Sequence, residues 1–252
     1  MAKLLEVCVD SVESAINAAQ GGAMRLELCA CLAVGGISPD EDLFRMVRER
    51  VDLPIRVLLR PRGGDFLYSE AEFELLRRQV RRFAALEADG VVIGALTADG
   101  RLDEARMAEL IALAGGRGVT LHRAFDVCRD PFEALEAARR LGVDTILTSG
   151  QQAGCTAGAA LLRQLVARSG GVQILVGAGV NADVIRRLQP ETGADAFHLS
   201  AKRIRDSGMN FRRENVPMGL PGLSEFEIWR CDADAVREAR RALDECLARQ
   251  KG

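Results

Sequence analysis

Short apolar runs alternate with amphipathic stretches along nearly the whole chain. The runs fall at about 4–9, 24–30, 54–60, 90–96, 118–124, 145–149, 173–178 and 196–200, and each has the length of a strand. Between them, apolar residues recur every three or four positions, as at Phe73, Leu76, Val80 and Phe83, predicting a helix over 70–88. Further helices are predicted from about Ser11, Pro39, Asp103, Pro131, Thr156, Asn181 and Asp232. Start signals include Ser69 ahead of Glu70 and Glu72, Asp130 ahead of Pro131, and Asn181 after Gly177-Ala178-Gly179-Val180.

Eight strand–helix units in 252 residues predict an α/β protein, a single (β/α)8 TIM barrel spanning 1–252. Continuous apolar strands fit a parallel sheet covered by helices. An open doubly wound sheet is the alternative, but Val9-Asp10-Ser11-Val12 stands where its glycine fingerprint belongs. The stretch from Lys202 to Ile228 lacks clear periodicity. It reads as a long loop, about 202–228, leaving the eighth strand at the barrel's C-terminal face. Such a loop serves as a cover for a site, as a subunit contact or as a mobile tail.

Ionisable residues interrupt the apolar runs. Glu6, Glu27, Arg60, Arg62, His122 and His198 sit in or at the ends of five of them. An unpaired buried charge costs several kcal/mol or more, so these groups need partners or a function. Alternation tests whether they converge. Glu6 shares a face with Cys8, Glu27 with Arg25 and Cys29, His122 with Thr120, and His198 with Ser200; the opposite face is aliphatic each time. The polar face should therefore point into the barrel, towards the mouth where barrel enzymes keep their active sites. A buried salt-bridge network, for instance Glu6 or Glu27 with Arg60, is the structural alternative.

In Arg60-Pro61-Arg62-Gly63-Gly64-Asp65, two guanidinium groups can grip a carboxylate or phosphate, and the glycines let the backbone approach it. In His122-Arg123-Ala124-Phe125-Asp126, His122 can move protons with Asp126 orienting it. Glu6, Glu27, His122 and Asp126 are thus the candidate catalytic residues. Arg60, Arg62, Asp65, Arg123, Ser149, His198 and Ser200 are the candidate anion-binding set. Thr148-Ser149-Gly150 and Gly177-Ala178-Gly179 add backbone amides that late barrel loops use for phosphate. Lys202 shares the parity of His198 and reads as a solvated rim lysine rather than a Schiff-base former.

Composition narrows the classes. Hydrophobic residues make up 48% of the chain but aromatics only 4%, so the core is aliphatic. A net charge of −2 gives no attraction to nucleic acid or anionic membrane. No run approaches the roughly 18 apolar residues of a membrane span, and no secretory signal pattern opens the chain. A cytoplasmic location is expected.

Seven scattered cysteines form no disulfide framework and are expected to be reduced. Cys8 and Cys29 occupy matching positions on what should be neighbouring strands, about 4.8 Å apart. Two thiolates at that separation suit Cu(I), and Cys31 adds a third sulfur nearby. Packing thiols are the alternative. No C-x-x-C pair exists, and two histidines with scattered cysteines assemble no zinc motif.

From Leu5 to about Arg240 the sequence resembles the CutC family. The resemblance rests on Glu6-Val7-Cys8-Val9-Asp10-Ser11, Glu27-Leu28-Cys29, Arg60-Pro61-Arg62-Gly63-Gly64-Asp65-Phe66, Thr120-Leu121-His122-Arg123-Ala124-Phe125-Asp126, Leu147-Thr148-Ser149-Gly150 and Arg205-Asp206-Ser207-Gly208-Met209. It implies a TIM-type barrel, a cytoplasmic location, a homodimer or homotetramer, and a link to copper homeostasis. Cys8 and Cys29 match the cysteines proposed to bind Cu(I) in animal members, whereas Cys31 lies outside the family pattern. No organic cofactor is expected. Two functions follow: Cu(I) handling through Cys8 and Cys29, or a lyase, isomerase or hydrolase acting on a small phosphorylated or carboxylated metabolite.

Overall fold

Eight parallel strands close on one another in chain order: β1 (Leu4–Val9), β2 (Arg25–Leu28), β3 (Ile55–Leu58), β4 (Gly90–Ile93), β5 (Gly118–Leu121), β6 (Thr145–Thr148), β7 (Gln173–Val176) and β8 (Ala196–Leu199). The seam joins β8 to β1, with Leu4 beside Ala196 and Glu6 beside His198. Around them lie α1 (Val12–Gln20), α2 (Glu41–Arg48), α3 (Glu70–Ala85), α4 (Glu104–Leu113), α5 (Pro131–Arg140), α6 (Ala159–Arg168), α7 (Ala182–Thr192) and α8 (Ala233–Arg249). This computed structural model describes residues 3–213, 215–216, 218–219 and 222–249; Pro217, Leu220, Pro221 and Lys251 lie outside the described residues. The predicted barrel is present, and its closure rules out the open sheet.

Helix starts follow the sequence signals. Ser69 and Glu72 form a reciprocal capping box at α3. Asp130 caps α5 with Pro131 in its first turn, and Asn181 caps α7. Outward-facing Leu5, Val7, Leu26, Leu28, Ile55 and Val57 pack with Phe44, Phe73 and Phe83 of the helices in the main core. Each fully buried side chain of this kind stabilises the fold by about 1.5–3 kcal/mol. The barrel interior holds only small apolar clusters: Leu4, Leu147, Leu175 and Ala196 in one, Cys29, Leu58 and Val92 in another.

The base of the interior is polar. Arg56 reaches Asp144 at 2.7 Å and donates to Thr120 at 2.6 Å and Thr145 at 3.2 Å. Glycines make the room: a Cβ on Gly118 would stand 2.4 Å from the Arg56 guanidinium, and one on Gly90 would stand 2.5 Å from the Gly118 carbonyl.

Two expectations need correction. The fifth strand stops at Leu121, because His122 caps a 3-10 turn over Arg123–Val127. The stretch after the eighth strand is also more than a loop. Its ends form an antiparallel ribbon, β9 (Lys202–Asp206) with β10 (Glu227–Cys231). The exposed, charged sequence Lys-Arg-Ile-Arg-Asp carries no apolar period, so pattern alone could not show it. Lys202 is exposed, with its ammonium 3.4 Å from the Trp229 ring centre, as befits a rim lysine. No described helix is long and apolar enough to cross a membrane.

Candidate functional site

A cavity of about 510 Å³ opens at the C-terminal mouth of the barrel, and its walls include Cys8, Glu27, Arg60, His122, Arg123 and His198. Asp126 and Ser200 also reach it. The inward direction predicted for Glu6, Glu27, His122 and His198 is therefore observed, with Glu6 bound beneath the cavity floor to His198.

Glu6 is fully buried and accepts hydrogen bonds from Arg25 and, at 2.8 Å, from His198 Nδ1. Burial alone would raise its pKa, but Arg25 and His198 outweigh that and hold it at about 2. Burial likewise opposes a charge on His198. Cys8, Glu27 and the bond to Glu6 reverse the balance and raise its pKa well above the ordinary histidine range.

Glu27 is different. Burial pushes its carboxyl up to about 7, with Glu6 adding to the rise and His198 and Arg25 opposing it. Its Oε2 is buried and has no hydrogen-bond partner among the described residues. One donor atom from each of Glu6, Glu27 and His198 lies within 4.8 Å of the other two.

His122 sits where strand gives way to turn. Its Nδ1 accepts the Ala124 N–H at 3.1 Å, which places the proton of the neutral ring on Nε2. That Nε2 is buried without a partner among the described residues. Burial, with Arg60 adding to it, drives the pKa down to about 3, so the ring is neutral at physiological pH. The ring rests on Gly94, where a Cβ would stand 2.5 Å from His122 Cε1, and against Phe66 with ring centres 4.8 Å apart.

Asp126 does not orient His122. Its carboxylate accepts from Thr148 Oγ1 at 2.5 Å, from the Ser149 N–H at 3.0 Å and from the Gln151 N–H at 3.2 Å. It thereby fixes the turn after β6. Ser149 is held by Asp126 and by Arg123 Nη2 at 3.0 Å, and does not line the cavity.

The two arginines after β3 part company. Arg60 pairs with neither Glu6 nor Glu27; it donates to the carbonyls of Val34, Gly36 and Gly64 at 2.8–3.1 Å. Carbonyls orient the guanidinium without neutralising it, and its Nε has no partner among the described residues. Arg62 instead pairs with Asp65 at 2.9 Å and Glu72 at 2.6 Å, away from the cavity walls, which takes Arg62 and Asp65 out of the mouth. Arg123 is half exposed on the rim and pairs with Asp126.

The cysteines also differ from expectation in register. Cys8 is aligned with Glu27, and Val9 with Leu28, so Cys29 lies further along its strand rather than directly opposite Cys8. Cys8 Sγ donates to the Leu199 carbonyl at 3.7 Å, and Cys29 Sγ to the Val9 carbonyl at 3.5 Å. Burial pushes the Cys29 thiol pKa well above its usual value, and nearby Cys8 adds to the effect. Cys8 and Cys29 form no disulfide, and Cys31 is exposed.

Sequence reasoning gave no role to Arg25, the true partner of Glu6, to Arg56, or to Gly94. Arg25 shares the inward parity of Glu27, and Arg56 that of Arg60, so a signal existed for both; the fourth run carries no ionisable residue to mark Gly94.

The CutC family profile matches residues 3–203. A mouse relative named copper homeostasis protein cutC homolog is 43% identical over 236 residues, 93% of this chain and 87% of its own. A CutC family protein of Bacteroides fragilis is 47% identical over 227 residues, covering 89% and 90%. The crystal structure of a CutC protein from Streptococcus agalactiae superimposes with a TM-score of 0.74 at 28% identity, covering 79% of this chain and 98% of that one.

Proposed function

This chain belongs to the CutC family, and on that premise we propose that it handles copper in the cytoplasm, holding Cu(I) as cargo between Cys8 and Cys29. The observation that carries the reading is the placement of these thiols. They form no disulfide, lie on β1 and just past the end of neighbouring β2, and are close enough for Cys8 to perturb Cys29. Cys8 borders the cavity and gives the ion a way in, while Cys29 lies behind it among Leu58 and Val92. Two soft sulfurs in an apolar setting suit Cu(I). The absence of disulfides among the described cysteines agrees with a reducing compartment. Exposed Ile204, Met209, Phe211 and Met218 on and after the β9 strand support assembly into a homodimer or homotetramer. Anaerobic competition against a Cu(I) chelator tests the copper site. Cys8→Ser and Cys29→Ser should each weaken binding at least tenfold, and unchanged affinity in both would leave the pair as packing thiols.

A second reading is favoured by the cavity itself, where, among the described residues, Arg60 lacks an ion-pair partner and Glu27 and His122 each present an unpartnered polar atom. In it, the mouth takes a small phosphorylated or carboxylated metabolite. Arg60, Arg123, His198 and Ser200 surround the anion, Glu27 transfers a proton, and the His122 Nε2–H donates to a developing negative charge. A bidentate charge-assisted contact contributes roughly 1.5–3 kcal/mol. A metabolite that raises the Tm of the wild type should therefore bind Arg60→Ala about ten- to a hundredfold more weakly. No stabilisation by any anion would remove this reading.

A further inference from the structure

We propose that Glu6, Glu27 and His198 form a binding site for a first-row divalent cation at the floor of the barrel mouth, separate in chemistry from the cysteine pair. Their donor atoms, two carboxylate oxygens and an imidazole nitrogen, already lie within 4.8 Å of one another on three adjacent strands. A rigid sheet holds that spacing, whereas surface carboxylates drift apart.

The second observation is Glu27 itself. It is 95% buried, and its Oε2 meets no donor among the described residues; Arg25, bound to Glu6 through Nε, leaves its own Nη2 unpartnered rather than donating to Glu27. A buried carboxylate oxygen without a partner is costly, and few native sites leave one without reason. A carboxylate oxygen of Glu27 lies within 4.8 Å of Glu6 and His198 donor atoms, and a cation held there would give the carboxylate a partner.

The surroundings fit a metal. Arg25 holds Glu6 by Oε2, as outer partners commonly fix a ligating carboxylate, and a bound cation would displace the proton that joins His198 Nδ1 to Glu6 Oε1. Two carboxylates and one imidazole suit Mn²⁺, Fe²⁺ or Zn²⁺, whereas thiolates select Cu(I). Three protein ligands leave coordination positions free, and the cavity above supplies space for water or an anionic ligand there. The absence of a cysteine-based zinc motif is beside the point, since the donors come from the carboxylates.

Mn²⁺ is the probe, because it prefers oxygen and nitrogen donors to thiolates. The loss of the free aquo-Mn²⁺ EPR signal is measured on titrating the intact protein, and Cu(I) affinity is measured separately by chelator competition. The wild type should bind Mn²⁺ saturably, and Glu27→Gln at least tenfold more weakly, with Cu(I) affinity within about threefold of wild type. His198→Gln should also weaken Mn²⁺ binding at least tenfold, and it carries the test if Glu27→Gln fails to fold. An aquo signal that the wild type does not deplete, or depletes no more than the folded variant does, overturns the site. Failure of Cu(I) binding with Mn²⁺ binding intact would strike the copper reading alone.

Discussion

Glu27 and His122 line one cavity and are displaced from their ordinary proton affinities in opposite directions, so they pull stability opposite ways with pH. Between pH 4.5 and about 7 the folded state holds a proton on Glu27 that the unfolded chain has released, and stability falls as pH rises. Between about 3 and 6.5 the unfolded chain protonates His122 while the folded one does not, so this contribution is full above 6.5 and is lost as pH falls. Urea unfolding at pH 7 and pH 4.5 separates them. The wild type should lose about 2–3 kcal/mol more than His122→Gln over that interval. At pH 8, Glu27→Gln should be more stable than wild type by about 1–3 kcal/mol, the signature of a group kept at a stability cost. The inward parity of both residues was legible in the sequence. Their partners were not, because the pairing of Glu6 with Arg25 rather than Arg60 depends on strand register and on Arg60 turning to backbone carbonyls.

At the scale of elements, β4 shows how a strand positions chemistry it does not perform. Its inward positions are Gly90, Val92 and Gly94, and the two glycines make room for Arg56 and His122 on its neighbours. Gly94→Ala should push the His122 ring out of place and destabilise the fold by about 1–3 kcal/mol, checked by chemical denaturation and by the His122 NMR resonances. Gly90→Ala should cost more than Gly118→Ala. Its Cβ meets the fixed Gly118 carbonyl, whereas that of Gly118 meets the end of a side chain. Strands and helices with a strong period were readable along the chain, as were the caps at Ser69, Asp130 and Asn181. The β9–β10 ribbon was not, since its pairing comes from partners roughly twenty to thirty residues apart and leaves the β9 side chains in water.

For the whole molecule, the absence of disulfides among the described residues predicts that thermal unfolding is the same with and without reductant; a Tm shift of several degrees would reveal a disulfide in solution. The eightfold repeat made the barrel legible, while the meeting of its ends at β1 and β8 is a property of the finished chain alone. That seam sets a problem for synthesis. The first strand leaves the ribosome with its partner nearly the whole chain behind it, and at ~5–20 residues per second the wait lasts about 10–40 s. An apolar strand with a bare edge could meanwhile pair with another nascent chain. Inward-pointing charges are one way proteins protect such edges, and β1 carries Glu6 while β8 carries His198. Stacked against a foreign sheet, His198 would be buried without the Glu6 carboxylate, while Glu6 would keep Arg25 of β2 but lose His198. Closure of the barrel is what brings the two together, so the pair beneath the cavity favours the correct seam over pairing with a foreign edge.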